Sequence, residues 1–272
     1  MRFVLFGYLV LKLWETSYNE RMNATTVLIL PIVALTGWLT GVLVNYLSDI
    51  LPIKRGLGKP ICVACHDPVS ATIYLFWPRR CPECGTRRPW RSWAVEAFYI
   101  VAALWMWFAP PVRFGFWPGL LLLAFLGVVF VIDLEHRLIL HMVSIFGAIL
   151  GLALGTYMHG FVATLLGGAA GFAIMYGLYW FGDVFARWLA RRRGETLTEV
   201  ALGFGDVNLA GVMGLLLGWP GVVAGLLLTI IIGGVIGLLY VLVMAVLRRY
   251  EHFMAIPYGP FLVISIVVLL FR

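Results

Sequence analysis

The stretch WPGLLLLAFLGVVFVID, Trp117 to Asp133, decides how this chain is read. Sixteen uncharged residues run into a lone aspartate, and the polar Glu135-His136-Arg137 follows within two residues. A helix crosses the hydrocarbon core of a bilayer with about 20 predominantly apolar residues. An acid at the edge of such a helix is costly to keep there and marks a functional position.

Similar windows recur on both sides. They run over Thr25–Leu47, Trp93–Phe108, Trp117–Ile132, His141–Met158, Phe161–Phe181, Val207–Gly218, Pro220–Leu247 and Pro257–Phe271. The 272 residues are 62% hydrophobic and 12% charged, where soluble domains carry about 45–50% apolar and about 25% charged residues. The excess is spread along the chain, so a signal peptide before a soluble domain does not account for it. The expected fold is an all-α polytopic membrane protein of about eight transmembrane helices. The expected division is an N-terminal extension over 1–24, read as an interfacial segment, a first helix over 25–47, a cysteine module over 48–92 and a membrane core over 93–272.

The net charge of +7 comes with no nucleic-acid reading motif, so nucleic-acid binding is not expected. The basic residues cluster instead in loops. Lys54, Arg55, Lys59, Arg79, Arg80, Arg87, Arg88 and Arg91 lie between the first two spans. Arg137 follows the third span, Arg187 and Arg191–Arg193 the fifth, Arg248 and Arg249 the seventh. With eight spans all four loops share one side, which the positive-inside rule makes the cytoplasm. The triplet Arg191-Arg192-Arg193 is expected to meet anionic headgroups of the lipid bilayer. Gly167, Gly168 and Gly171, and Gly233, Gly234 and Gly237, are read as helix-packing positions.

Cys62-x-x-Cys65 and Cys81-x-x-Cys84 are two short turns each offering two thiolates, the pattern of a structural four-cysteine zinc site. A segment of this size builds little core of its own, and a metal would staple it. His66 is a less favoured substitute ligand. The alternative is a pair of redox dithiols.

Four aspartates lie at predicted membrane boundaries: Asp49, Asp133, Asp183 and Asp206. Asp206 ends Gly203-Phe204-Gly205-Asp206, where glycines allow a tight bend and a close approach. Asp133 and Asp206 are the candidate catalytic residues. Two neighbouring carboxyls share a proton; the ionised one activates water for attack on a peptide carbonyl, and the protonated one donates to the oxyanion. Sequence does not say which is which. The competing role for each is helix capping, and that role is expected for Asp183 and for Asp49.

These residues resemble the type IV prepilin peptidase family, the leader peptidases of type IV pilus and type II secretion systems. The likeness runs from about Gly41 to Leu262. It is carried by Gly41-Val-Leu-Val-Asn45 with Leu51-Pro52, the two CxxC pairs, Ala94-Val95-Glu96, Ile132-Asp133-Leu134, the GxGD motif at 203–206 and Ile256-Pro257-Tyr258-Gly259-Pro260-Phe261-Leu262. The resemblance implies an aspartic endopeptidase of the bacterial inner membrane, with prepilins and pseudopilins as substrate partners. It would remove their basic leader peptides at the cytoplasmic face, with Asp133 and Asp206 catalytic. It also implies N-methylation of the new N-terminus with S-adenosyl-L-methionine as cofactor beside the structural zinc. Asn208, Leu140, Ile50 and Ala94 depart from the family's frequent residues without removing a carboxylate. Glu96 either serves methyl transfer or bonds a neighbouring helix. Glu135, Glu195 and Glu199 either attract the basic leader or are solvated loop acids. The other classes considered are a proton- or ion-coupled transporter using the same aspartates, and a zinc-bearing scaffold without catalysis.

Overall fold

The computed structural model describes residues 24–76, 79–193, 203–246 and 257–271. The extension before Ala24, Glu195, Glu199, Arg248, Arg249, Ile256 and the side chains of Arg191, Arg192 and Arg193 fall outside that description. The described residues form helices α1 (Ala24–Lys54), α2 (Ala71–Leu75), α3 (Trp90–Phe108), α4 (Phe116–His136) and α5 (His141–His159). Then follow α6 (Phe161–Arg193), α7 (Phe204–Leu217), α8 (Gly221–Val246) and α9 (Gly259–Leu270). The only β pairing among them is two isolated bridges in the cysteine module. The fold is all-helical, and five helices (α1, α4, α5, α6 and α8) are long and apolar enough to cross a bilayer.

Each expected apolar window corresponds to one helix, but α7 and α9 are short, with 14 and 12 residues. At 1.5 Å per residue they reach about 21 and 18 Å, less than the hydrocarbon thickness. Both are lined with buried side chains, so neighbouring helices rather than lipid surround them. Helix α1 runs on through Lys54, past the expected exit at Leu47, because Asp49 is buried against the module instead of meeting water.

Helix α4 is the central element. Leu120, Leu123, Ala124, Val128 and Ile132 pack into a cluster with Val33 and Val44 of α1 and Tyr99, Ala103 and Met106 of α3. Leu122, Phe125, Leu126 and Val129 pack into a second cluster with α5, α7 and α9. A helix that is apolar all round is a buried one: 67% of its apolar window is buried, against 11% for α8. The glycines of α6 act as expected. A Cβ on Gly167 or Gly171 would strike the backbone of Gly214 or Ala210 in α7, so α6 and α7 lie backbone to backbone. Of the glycines in α8, Gly233 packs on Phe261 and Gly234 faces open space.

Candidate active site and cysteine module

Three chain segments meet at one end of this bundle. Helix α4 arrives with its C-terminus, while α7 and α9 start there. Asp133 lies in the last turn of α4, 5% exposed, and Asp206 in the first turn of α7, 9% exposed. Asp206 lies within the electrostatic reach of Asp133, and Tyr258, which precedes α9, within that of Asp206.

Local sequence sets each position. Gly203 is the N-cap of α7, and the Asp206 carboxylate accepts the Gly203 N–H at 3.2 Å. The capping role weighed for Asp206 is thus realised. A Cβ on Gly205 would lie 2.7 Å from Cβ of Ile139. The second glycine of the motif therefore lets the start of α7 rest on the segment just beyond α4.

Asp133 is different. A carboxylate in the last turn of a helix faces the negative end of the helix dipole, so capping does not account for it. Its backbone carbonyl accepts the N–H of Arg137, a left-handed C-cap with φ 51°. Its side chain meets the start of α9: a Cβ on Gly259 would be 2.5 Å from Oδ2, and the Gly259 backbone interacts with the carboxyl. Oδ2 is buried without a hydrogen-bond partner among the described residues. Buried carboxylate oxygens are rarely left so unless a water or substrate completes them. The positive N-terminal ends of α7 and α9 both face the pair. A water held between two such carboxyls has a base on one side and an acid on the other.

Tyr258 and Gly259 were legible only as part of a tail motif. Their meeting with Asp133 and Asp206 joins residues more than fifty positions apart.

The cysteine module is built from two matching knuckles. In the first, the His66 N–H donates to the Cys62 carbonyl at 3.0 Å and the Cys62 N–H to the Asp67 carbonyl at 2.9 Å. In the second, the Gly85 N–H donates to the Cys81 carbonyl and the Cys81 N–H to the Thr86 carbonyl, each at 3.0 Å. His66 and Gly85 hold the same left-handed turn position, with φ 62° and 68°. His66 therefore shapes a knuckle, and the clustered ligand atoms are the four thiols.

Those thiols lie within 4.8 Å of one another. The close pairs are Cys62 with Cys84 and Cys65 with Cys81, both at 3.6 Å. Each pair draws one thiol from each knuckle, which is not the pairing of two separate dithiols. Four thiolates about 2.3 Å from a tetrahedral ion stand about 3.8 Å apart, so the cluster fits such an ion. Hydrogen bonds to Thr86 hold the Cys84 thiol down to about 6, which supplies a thiolate ligand at neutral pH.

Buried charges tie the module to the membrane helices. Arg79 donates to both oxygens of Glu96, at 3.0 and 2.9 Å, and the Trp38 indole donates to Glu96 at 3.0 Å. Glu96 thus bonds a neighbouring helix and the module together. Asp49, expected at a surface or cap, is instead the module's anchor. It accepts from Tyr74 at 2.6 Å, from Arg88 at 3.3 Å and from Arg91. Burial, with the Asp49 charge beside it, pushes the Tyr74 hydroxyl up, so it stays protonated and donating. Sequence reasoning missed this role because Asp49 and its partners lie 25 to 42 positions apart. Glu135 is paired with Arg91 at 3.1 Å. Asp183, expected to cap a helix, lies instead within α6 and pairs with Arg187 one turn on.

Buried acids of α4 and α7 thus stand at one end of a helical bundle, and comparison with known proteins points to a peptidase family. Residues 120–238 match the model of the type IV leader peptidase family. The chain is 28% identical over 244 residues to the prepilin leader peptidase/N-methyltransferase of Aeromonas hydrophila, covering 81% of this chain and 77% of that one. It is 29% identical over 283 aligned positions to the protein of that name from Legionella pneumophila, covering 98% and 91%. With the protein of that name from Myxococcus xanthus it shares 27% over 221 residues, covering 76% and 61%. No solved structure matches. Residues 120–238 thus carry a likeness to the type IV leader peptidase family, and the named relatives extend that likeness along most of the chain.

Proposed function

We propose that this membrane protein is an aspartic endopeptidase that processes prepilins, with Asp133 and Asp206 as its catalytic pair. The observation that carries this is the convergence of an acid from the last turn of α4 and an acid from the first turn of α7 on the start of α9. The Asp133 charge is felt at Asp206, and two carboxyls brought together on substrate binding would share a proton. One carboxyl takes a proton from water as the water attacks the scissile carbonyl, and the other gives its proton to the oxyanion; on collapse the first passes its proton to the leaving amine while the second takes one back from the diol. The unpartnered Asp133 Oδ2 is a natural seat for that water.

Counting the short α7 and α9 as spans, the eight-span reading has Asp133, Asp206 and the cysteine module on one side. By the positive-inside rule the basic residues around the module support a cytoplasmic location for that side, in a bacterial inner membrane on this reading. A substrate with a basic leader and an apolar segment would then present its junction at the level of the two acids. The four cysteines would hold zinc as a structural ion, since all four positions are thiols and none is left for water.

N-methyl transfer, the second activity in the relatives' names, extends to this chain with S-adenosylmethionine as donor. Glu96 is fully engaged by Arg79 and Trp38, which favours an anchoring role over a methyl-transfer one. The transporter reading finds no support in the comparisons, and both acids stand at an end of the bundle instead of its midplane.

The test is cleavage of a purified prepilin by Asp133→Asn and Asp206→Asn. Each should lose at least roughly a thousandfold in kcat, as removing one member of a concerted acid–base unit does, while keeping wild-type helix content. Full cleavage by either variant would show that the pair is not the catalyst. Transfer of a labelled methyl group to cleaved pilin tests the second activity.

A further inference from the structure

We infer that Arg91 is a positioning residue that couples the cysteine module to Asp133. Arg91 is the second residue of α3 and follows the second knuckle directly. Its guanidinium bridges two carboxylates on two other helices. One nitrogen meets Asp49 of α1, and the other meets Glu135 of α4 at 3.1 Å. Glu135 is two residues beyond Asp133, in the same final turn. That turn has one backbone tie at its end, the Arg137 N–H to the Asp133 carbonyl at 2.9 Å. Arg91 adds a side-chain tie through Glu135.

The bridge belongs to a closed set of charges. Arg79 pairs with Glu96, Arg88 with Asp49 and Glu96, and Arg91 with Asp49 and Glu135. Three cations meet three anions, and Arg79, Arg88, Asp49 and Glu96 have side chains at most 10% exposed. Breaking one partner of such a set leaves an uncompensated buried charge, so the set moves as a block or not at all. Arg88 also stacks on Tyr74 of α2 at 3.8 Å. The module is thereby fixed to α1 and α3, and Arg91 carries that fixity across to α4. The Arg91 nitrogen that faces Glu135 makes no hydrogen bond among the described residues, so the tie to α4 is one of charge at close range.

This inference rests on Asp133 being catalytic, and the experiment separates the two. Cleavage of a prepilin is followed at varied substrate with full-length wild type, Arg91→Gln, Arg91→Lys, Glu135→Gln and Arg91→Gln/Glu135→Gln, alongside Asp133→Asn. The expected result is a roughly 10- to 100-fold fall in kcat for Arg91→Gln and Glu135→Gln, the scale of a misplaced reacting group. KM should stay within about twofold, because substrate binding is untouched. The double variant should be no worse than either single one, since both remove the same tie, and Arg91→Lys should recover part of the loss. Glu135 is 36% exposed, so its variant reports on the tie even where Arg91→Gln folds poorly. Wild-type kcat in Glu135→Gln beside an inactive Asp133→Asn overturns the coupling and leaves the catalytic pair standing. A rise in KM at constant kcat, or losses that multiply in the double variant, also overturns it. Full activity in Asp133→Asn overturns both readings together.

Discussion

Gly259 meets Asp133 where the first turn of α9 passes the last turn of α4, and the missing side chain sets their distance. A methyl group there would stand 2.5 Å from the Asp133 Oδ2, well inside van der Waals contact. In Gly259→Ala either the carboxyl rotates or α9 withdraws. Both displace a reacting group by about an ångström, which costs roughly 100-fold in rate. Prepilin cleavage by Gly259→Ala should fall by that order while circular dichroism stays that of the wild type; unchanged cleavage would show that the contact is incidental. Gly205 makes the same kind of contact with Ile139, so Gly205→Val should shift the start of α7 and lower kcat with it. Both glycines were quoted from sequence as motif letters. Their purpose lies in what stands opposite them, which no local pattern records.

Among the elements, α1 and α3 show how a polar module is carried by apolar helices. Their backbones touch at Gly41 and Glu96, where a Cβ on the glycine would come 2.7 Å from the Glu96 Cα. The Glu96 carboxylate is then enclosed by Arg79 and Trp38, with Arg88 at 3.8 Å. Removing one partner of a buried ion pair costs about 3–5 kcal/mol, whereas replacing both by apolar residues of similar volume is often neutral. Glu96→Ala should therefore lower the thermal unfolding temperature in detergent, and Arg79→Met/Glu96→Leu should regain most of the loss. A double variant as unstable as the single one would mean that the pair is worth more than its desolvation. The sequence announced an acid just inside a membrane helix; it did not announce the arginine seventeen positions earlier that neutralises it.

For the whole molecule, two apolar clusters share α4, and a metal-sized thiol cluster stands apart from both. On the proposed zinc reading, the module should depend on a bound metal while the bundle does not. Chelation, or Cys81→Ser, should expose residues 55–89 to protease and thiol reagents while the helical signal of the bundle persists. Equal loss of both would mean that the module is needed for the bundle to stand. Reporter fusions or labelling at Lys59 and at Arg113 should find opposite sides of the membrane, as eight crossings require. The same side for both would end that topology.

The sequence by itself determined the helical class, the order of its apolar segments, the two cysteine knuckles and which acids lie at helix ends. Each of these rests on composition or on spacing within a few residues, where periodicity and covalent reach suffice. Only the tertiary structure decided that Asp133 and Asp206 share an end of the bundle with Tyr258 and Gly259. The same holds for Asp49 as an anchor and for Glu135 beside Arg91. Packing of helices far apart in the chain makes those meetings, and a side chain's neighbours across such distances are fixed by the fold as a whole.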